Sequence, residues 1–215
     1  CHIVVGTVST LSLRPDLFRL KAFDVAIVDE ATQILEPQLL YLLCARGPSG
    51  TEDAIGRFVL VGDHKQLPAV VLQSASQSEV HDEQLRAIGL LNLKDSLFER
   101  FYRRLHNVPA KEGGTACDML CRQARMNVEV ASFPNKAFYS GRLLPVGLPH
   151  QTGPLVLSPG LTSDEFAPVL TRRVAFLPSQ PEPPMHTGKL NRSEAHLAAR
   201  LATSVYRQYA TASPG

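Results

Sequence analysis

The chain has 215 residues, of which 44% are hydrophobic and 20% charged, and its formal net charge is +2. This balance excludes a disordered chain and suits one large domain or two small ones. Near-neutral charge carries no whole-molecule signal for nucleic acid, so such binding needs a local patch, and no apolar stretch approaches the ~20 residues of a membrane-spanning helix.

Both ends read as cut. Cys1, not Met, opens directly into the apolar run HIVVGT with no visible signal peptide, so the sequence is expected to belong to something longer. Three short β-branched runs lie at residues 3–5 (IVV), 25–28 (VAIV) and 58–61 (FVLV), each bounded by turn or polar residues. Separated by helical patterns such as ILEPQLLYLLCA, they predict an α/β layout of parallel strands covered on both faces, with ligands at the carboxyl ends. Residues 72–95 form a polar insertion with a predicted helix near SEVHDEQLRAIGL. The next helix begins at Ser96, where Ser96 and Glu99 fit a capping box and Leu97, Phe98, Phe101 and Leu105 form an apolar stripe. Arg100, Arg103 and Arg104 then fall on what reads as a solvated face, with phosphate contact the lesser reading.

Gly113-Gly114-Thr115 interrupts the pattern, and a second unit comes after it: a strand (ACDMLC), then a helix (NVEVASFPNKAFY) interrupted by Pro134. Residues 142–190 carry nine of the sixteen prolines, which predicts an irregular arm with RRVAFLP as a strand inside it. The last helix starts at Asn191, which makes a cap pair with Glu194, and runs through Leu197, Leu201 and Val205. The four cysteines are Cys1, Cys44, Cys117 and Cys121. The spacing of Cys117 and Cys121 could suit a metal site, but no second Cys or His pair lies near, and buried thiols in a reduced intracellular protein are the expectation.

The stretch VAIVDEATQ asks for a chemical explanation, because an apolar strand runs straight into the adjacent acids Asp29 and Glu30. Either the strand tip is a solvated turn or it faces a ligand that needs the charge. In nucleotide hydrolases one carboxylate at such a point holds Mg²⁺ on the phosphates, and a neighbouring one can orient or deprotonate the attacking water. Later, FVLVGDHKQLP again ends a strand in a polar turn, with Gln66 four residues after Gly62; a Gln beside a nucleotide can report whether the γ-phosphate is present. In the second unit Arg125 comes after a strand, and an arginine so delivered can stabilise charge on a transferring phosphoryl group.

Together and in order, these stretches resemble the superfamily-one helicases of the branch that includes the nonsense-mediated-decay helicase. DEATQILEP resembles helicase motif II, GDHKQLP motif III and RQARM motif IV, while SLFERF, FPNKAFYSGRL and NRSEA are similar to the family's linking elements. The resemblance spans roughly residues 3 to 205. It implies a RecA-like P-loop NTPase fold, with most of a first domain at 1–110 and the start of a second at 111–215. The implied cofactors are ATP and Mg²⁺, and the implied partner is single-stranded DNA or RNA. Residue by residue, it implies that Asp29 binds Mg²⁺, Glu30 activates water, Gln66 couples the γ-phosphate to domain movement and Gly62 and Asp63 shape its turn. It implies further that Arg125 contacts the γ-phosphate, Gln123 supports that loop and Thr7 touches the nucleic-acid backbone, against a plain packing role for a strand threonine.

This sequence departs from the family at Ala124, where the motif has Tyr, and at Asn127-Val128, where it has His-Pro. No G-x-x-x-x-G-K-[ST] loop occurs in the 215 residues, and HTGKL at 186–190 lacks the first glycine and the hydroxyl residue. A phosphate loop is therefore expected upstream of Cys1. The leading reading is an ATP-dependent helicase or translocase, inactive as this fragment alone. The alternative is a non-catalytic nucleic-acid clamp derived from one. A small-molecule P-loop kinase accounts for the acids but not for Arg125.

Overall fold

The α/β reading is borne out by two pairs of parallel strands, although the first apolar run takes no part in either. The computed structural model describes residues 2–106, 108, 115–155, 164–179 and 191–212. It divides into two units, Cys1–Met119 and Leu120–Gly215.

In the first unit, residues 3–5 are not a strand: Ile3 and Val5 are exposed. A β-branched run becomes a strand only where a neighbour completes its ladder, and here the chain turns instead into α1 (Val8–Ser12). Thr7 caps that helix, its hydroxyl accepting from Thr10 N at 3.1 Å. After α2 (Asp16–Leu20), β1 (Ala26–Val28) enters the sheet and α3 (Glu36–Leu43) crosses to β2 (Phe58–Leu60). The strands pair in parallel, Ala26 with Phe58, Ile27 with Val59 and Val28 with Leu60. Val28 joins Phe18, Ala31, Leu39, Leu42, Ala54, Ile55 and Leu97 in the buried core. Within the first unit, the described residues cover one of the two faces expected: Ile27, pointing the other way, is 72% exposed among them.

The insertion folds back on itself rather than trailing as a loop. Asp82 caps α4 (Glu83–Ala87), accepting from Leu85 N at 2.9 Å. Val80 N donates to Leu91 O and Leu93 N to Ser78 O, which buries Val80 and Leu90. The next helix, α5 (Leu97–Leu105), starts as predicted, with Ser96 Oγ accepting from Glu99 N at 3.2 Å. Two of its arginines, Arg103 and Arg104, are exposed as predicted, and only Arg100 departs from the solvated face. Arg100 is buried against Glu36, Arg103 pairs with Asp95, and Arg104 donates to Ile88 O.

In the second unit the predicted ACDMLC strand is displaced: the strand is β3 (Arg122–Gln123), beginning after Cys121. The helix α6 (Val128–Phe138) leads to β4 (Leu144–Pro145), which lies parallel to β3. Pro134 does not interrupt α6, which runs through it. Asn127 caps α6 at Glu129 N, and Asn135 ties the far end to Leu143 through N–H and C=O. Among its described residues the proline-rich arm holds two short helices, α7 (Pro149–Thr152) and α8 (Ala167–Leu170). RRVAFLP forms no strand: Val174 and Phe176 are exposed, and among the described residues no strand pairs with them. The long α9 (Arg192–Ala212) begins as predicted, Asn191 Oδ1 accepting from Glu194 N at 3.0 Å.

The cysteine expectation needs correction. Cys44 is exposed at the end of α3, and Cys117 and Cys121 are half-buried, so none of the three is fully buried. Cys1, the Gly113-Gly114 break and HTGKL lie outside the described residues. Among the described residues no helix is long and apolar enough to cross a membrane.

Candidate nucleotide site

The two polar turns predicted to carry chemistry sit side by side at the carboxyl ends of β1 and β2. The ladder continues past both strands: Val61 N donates to Val28 O and Ala31 N to Val61 O, each at 2.8 Å. Asp29 and Glu30 leave the end of β1 and are exposed. Glu30 has φ 51° and ψ 37°, the left-handed region that side chains rarely adopt. Such a backbone persists only where its surroundings hold it. Here Asp29 Oδ1 accepts from Glu30 N at 2.9 Å, and Gln33 Nε2 donates to Glu30 Oε2 at 3.2 Å. The acid turn is therefore built, not frayed.

The second turn packs directly on the first. A Cβ at Gly62 would stand 3.0 Å from Thr32 Cγ2 and 3.1 Å from Thr32 N, so only glycine fits without a shift. Asp63 organises the rest of this turn: its Oδ1 accepts from Lys65 N and its Oδ2 from Gln66 Nε2, both at 2.9 Å. Gln66 is thus an exposed amide aimed by a carboxylate. His64, on the same turn, lies against the Tyr102 ring of α5 with centroids 4.0 Å apart, and Tyr102 stacks on His106 at 4.6 Å. Burial, then the positive charge of Lys65, holds the His64 imidazole below its ordinary pKa.

Asp29, Glu30, Gly62, Asp63 and Gln66 are therefore brought together within the first unit. Thr7 is an exposed helix cap, a local role different from the strand packing considered for it. In the second unit Gln123 and Arg125 share one loop. Gln123 closes it, donating to Met126 O at 2.8 Å and accepting from Met126 N at 2.7 Å. Arg125 is exposed and makes no ion pair among the described residues. Sequence reasoning missed Gln33, Thr32 and His64. The spacing of Gln33 from Glu30 was a usable signal, whereas the contacts of Thr32 and His64 depend on residues 30 or more positions away.

A family described as an AAA domain matches residues 1–74. The chain is 35% identical over 142 residues to the DNA replication ATP-dependent helicase/nuclease DNA2 of Mus musculus, covering 66% of this chain and 10% of that protein. It is 35% identical over 123 residues to Probable helicase MAGATAMA 3 of Arabidopsis thaliana, covering 57% and 12%. With the DNA polymerase alpha-associated DNA helicase A of Saccharomyces cerevisiae it shares 30% identity over 149 residues, covering 66% and 19%. The chain thus spans only about a tenth of the length of the first of these relatives. The paired strand ends, the parallel α/β architecture and these similarities converge on one family: the chain is similar to a fragment of the superfamily-one helicases, and its helices and parallel strands fit their RecA-like α/β fold.

Proposed function

We propose that this chain supplies part of the ATP-hydrolysing core of a helicase or translocase acting on single-stranded DNA or RNA, the activity belonging to the full-length protein. The observation that carries the reading is the packing of Gly62 on Thr32, which sets the Asp29-Glu30 turn against the Asp63–Gln66 turn at adjacent strand ends. Open parallel sheets place ligands there. The donor set suits a hard cation: Asp29 is an exposed carboxylate with an oxygen beyond the one that accepts from Glu30 N.

In this reading Asp29 holds Mg²⁺, which would neutralise charge on the β- and γ-phosphates of bound ATP. Glu30 takes a proton from the attacking water; its twisted backbone and the Gln33 contact fix where its carboxylate stands. Gln66 senses the γ-phosphate, with Asp63 aiming its amide and Gly62 allowing the close turn. Arg125 is assigned the stabilisation of charge on the transferring phosphoryl group, Gln123 the support of its loop, and Thr7 a contact with the nucleic-acid backbone. Residues 1–110 and 111–215 are taken as parts of a first and a second RecA-like domain.

The deciding experiment is nucleic-acid-stimulated ATP hydrolysis by the full-length protein and its Glu30→Gln variant. Stimulated turnover that collapses in the variant while ATP still binds supports the motor. Nucleic-acid binding with no ATP turnover in the unmodified protein identifies a clamp instead.

A further inference from the structure

The loop that presents Arg125 is fastened from outside by α7. Gln151 is 0% exposed, among the most buried polar side chains of the second unit. Its Oε1 accepts from Gly147 N and Leu148 N, each at 3.1 Å, which ties it to the start of α7. Its Nε2 donates to Gln123 O at 2.7 Å and reaches Met126 O at 3.4 Å. Beside it, His150 Nε2 lies 2.8 Å from Ala124 O; a carbonyl only accepts, so the imidazole donates. Asn127 returns a bond to His150 O at 3.1 Å. With Gln123 closing on Met126, the backbone is pinned immediately before and after Arg125, while the guanidinium itself stays exposed.

A surface loop can satisfy its carbonyls with water. This one instead draws on a fully buried amide and an imidazole from residues more than twenty positions downstream. Hydrogen bonds of this kind add little to stability when water can replace them, but they hold a Cα in place. An arginine that stabilises transition-state charge depends on that placement, since a shift of ~1 Å can cost about 10²-fold in rate.

We propose that His150 and Gln151 are positioning residues for Arg125, fixing the loop so that the guanidinium is delivered at a set reach. This rests on the assignment of Arg125 to the transferring phosphoryl group. The competing account is a plain staple that joins α7 to β3 and has no bearing on the reaction.

The test is steady-state ATP hydrolysis by the full-length protein at saturating nucleic acid. His150→Phe keeps a ring at an exposed position and removes the donor. It is expected to lower kcat roughly 10-fold with KM for ATP unchanged, and His150→Gln, which restores an N–H donor, recovers most of the loss. On an Arg125→Ala background, His150→Phe is expected to change kcat no further, because both act through one group. Gln151→Met, similar in volume but without the amide, is expected to lower kcat as well. A silent His150→Phe beside a damaging Arg125→Ala overturns the inference alone. Equal losses on both backgrounds also overturn it, leaving α7 as a staple. A silent Arg125→Ala overturns the assignment of Arg125 and the inference with it.

Discussion

Glu36 and Arg100 stand 64 residues apart in the chain and meet as a buried two-pronged ion pair, Arg100 Nε donating to Glu36 Oε2 at 2.9 Å and Nη2 to Oε1 at 2.5 Å. Each side chain is about a tenth exposed. A third N–H, on Nη1, reaches Ile88 O at 3.1 Å. One guanidinium thus ties α3, just beyond the acid turn, to α5 and to the insertion.

Breaking this pair on one side leaves a buried charge unpaired, so Arg100→Leu or Glu36→Leu is expected to destabilise the protein by ~3–5 kcal/mol. The double variant Glu36→Leu/Arg100→Leu is expected to recover much of that loss, because neither charge then remains buried. Thermal denaturation of the single and double variants checks this; a double variant as unstable as the sum of the singles contradicts it.

At the acid turn, Glu30→Gln is expected to cut ATP turnover by ~10²–10⁴-fold, the usual cost of losing a general base, with ATP binding largely kept. Asp29→Ala is expected to act differently, weakening binding of the Mg²⁺–nucleotide complex. Nucleotide titrations beside turnover numbers separate the two. Near-normal turnover in Glu30→Gln would make Glu30 only a structural acid.

Gly62→Ala places a methyl group against Thr32 Cγ2 and Thr32 N. The expected cost is about 1–3 kcal/mol, typical of overpacking. Adding Thr32→Ala relieves the methyl contact but not the 3.1 Å approach to the Thr32 backbone, so the rescue is expected to be partial. Comparing melting temperatures of the single and double variants measures this.

His64 predicts a pH dependence. Its folded pKa is held below 6.5 by burial and by Lys65. In the unfolded chain the ring therefore takes up its proton first as pH falls. The stability this neutral ring contributes is complete above 6.5 and is lost as pH falls through the folded value. His64→Phe, which retains a ring against Tyr102, is expected to flatten that part of the profile. An unchanged slope in denaturation series across the same pH range assigns the effect to other groups.

Ala124 replaces the aromatic residue of the family pattern and is exposed, with its carbonyl held by His150. Loss of a stacking surface worth about 0.5–1.5 kcal/mol predicts weak discrimination between ATP and GTP, with Ala124→Tyr tightening purine binding several-fold. ATP and GTP affinities left unchanged by the substitution rule this out.

What the sequence determined by itself were features written in adjacent residues. The VAIV and FVLV strands, the Ser96–Glu99 capping box, the Asn191 cap and the two polar turns each rest on contacts a few positions apart, where residue type and spacing suffice. Residues 3–5 and RRVAFLP failed for the opposite reason: β-branched runs do not state whether a neighbouring strand exists to pair with them. Only the tertiary structure decided that Gly62 closes on Thr32, that Arg100 is buried on Glu36 rather than solvated, and that His150 and Gln151 grip the Arg125 loop. Each of these is a meeting of groups distant in the chain, and the free energy of such a meeting depends on burial and geometry that appear only once the chain has folded.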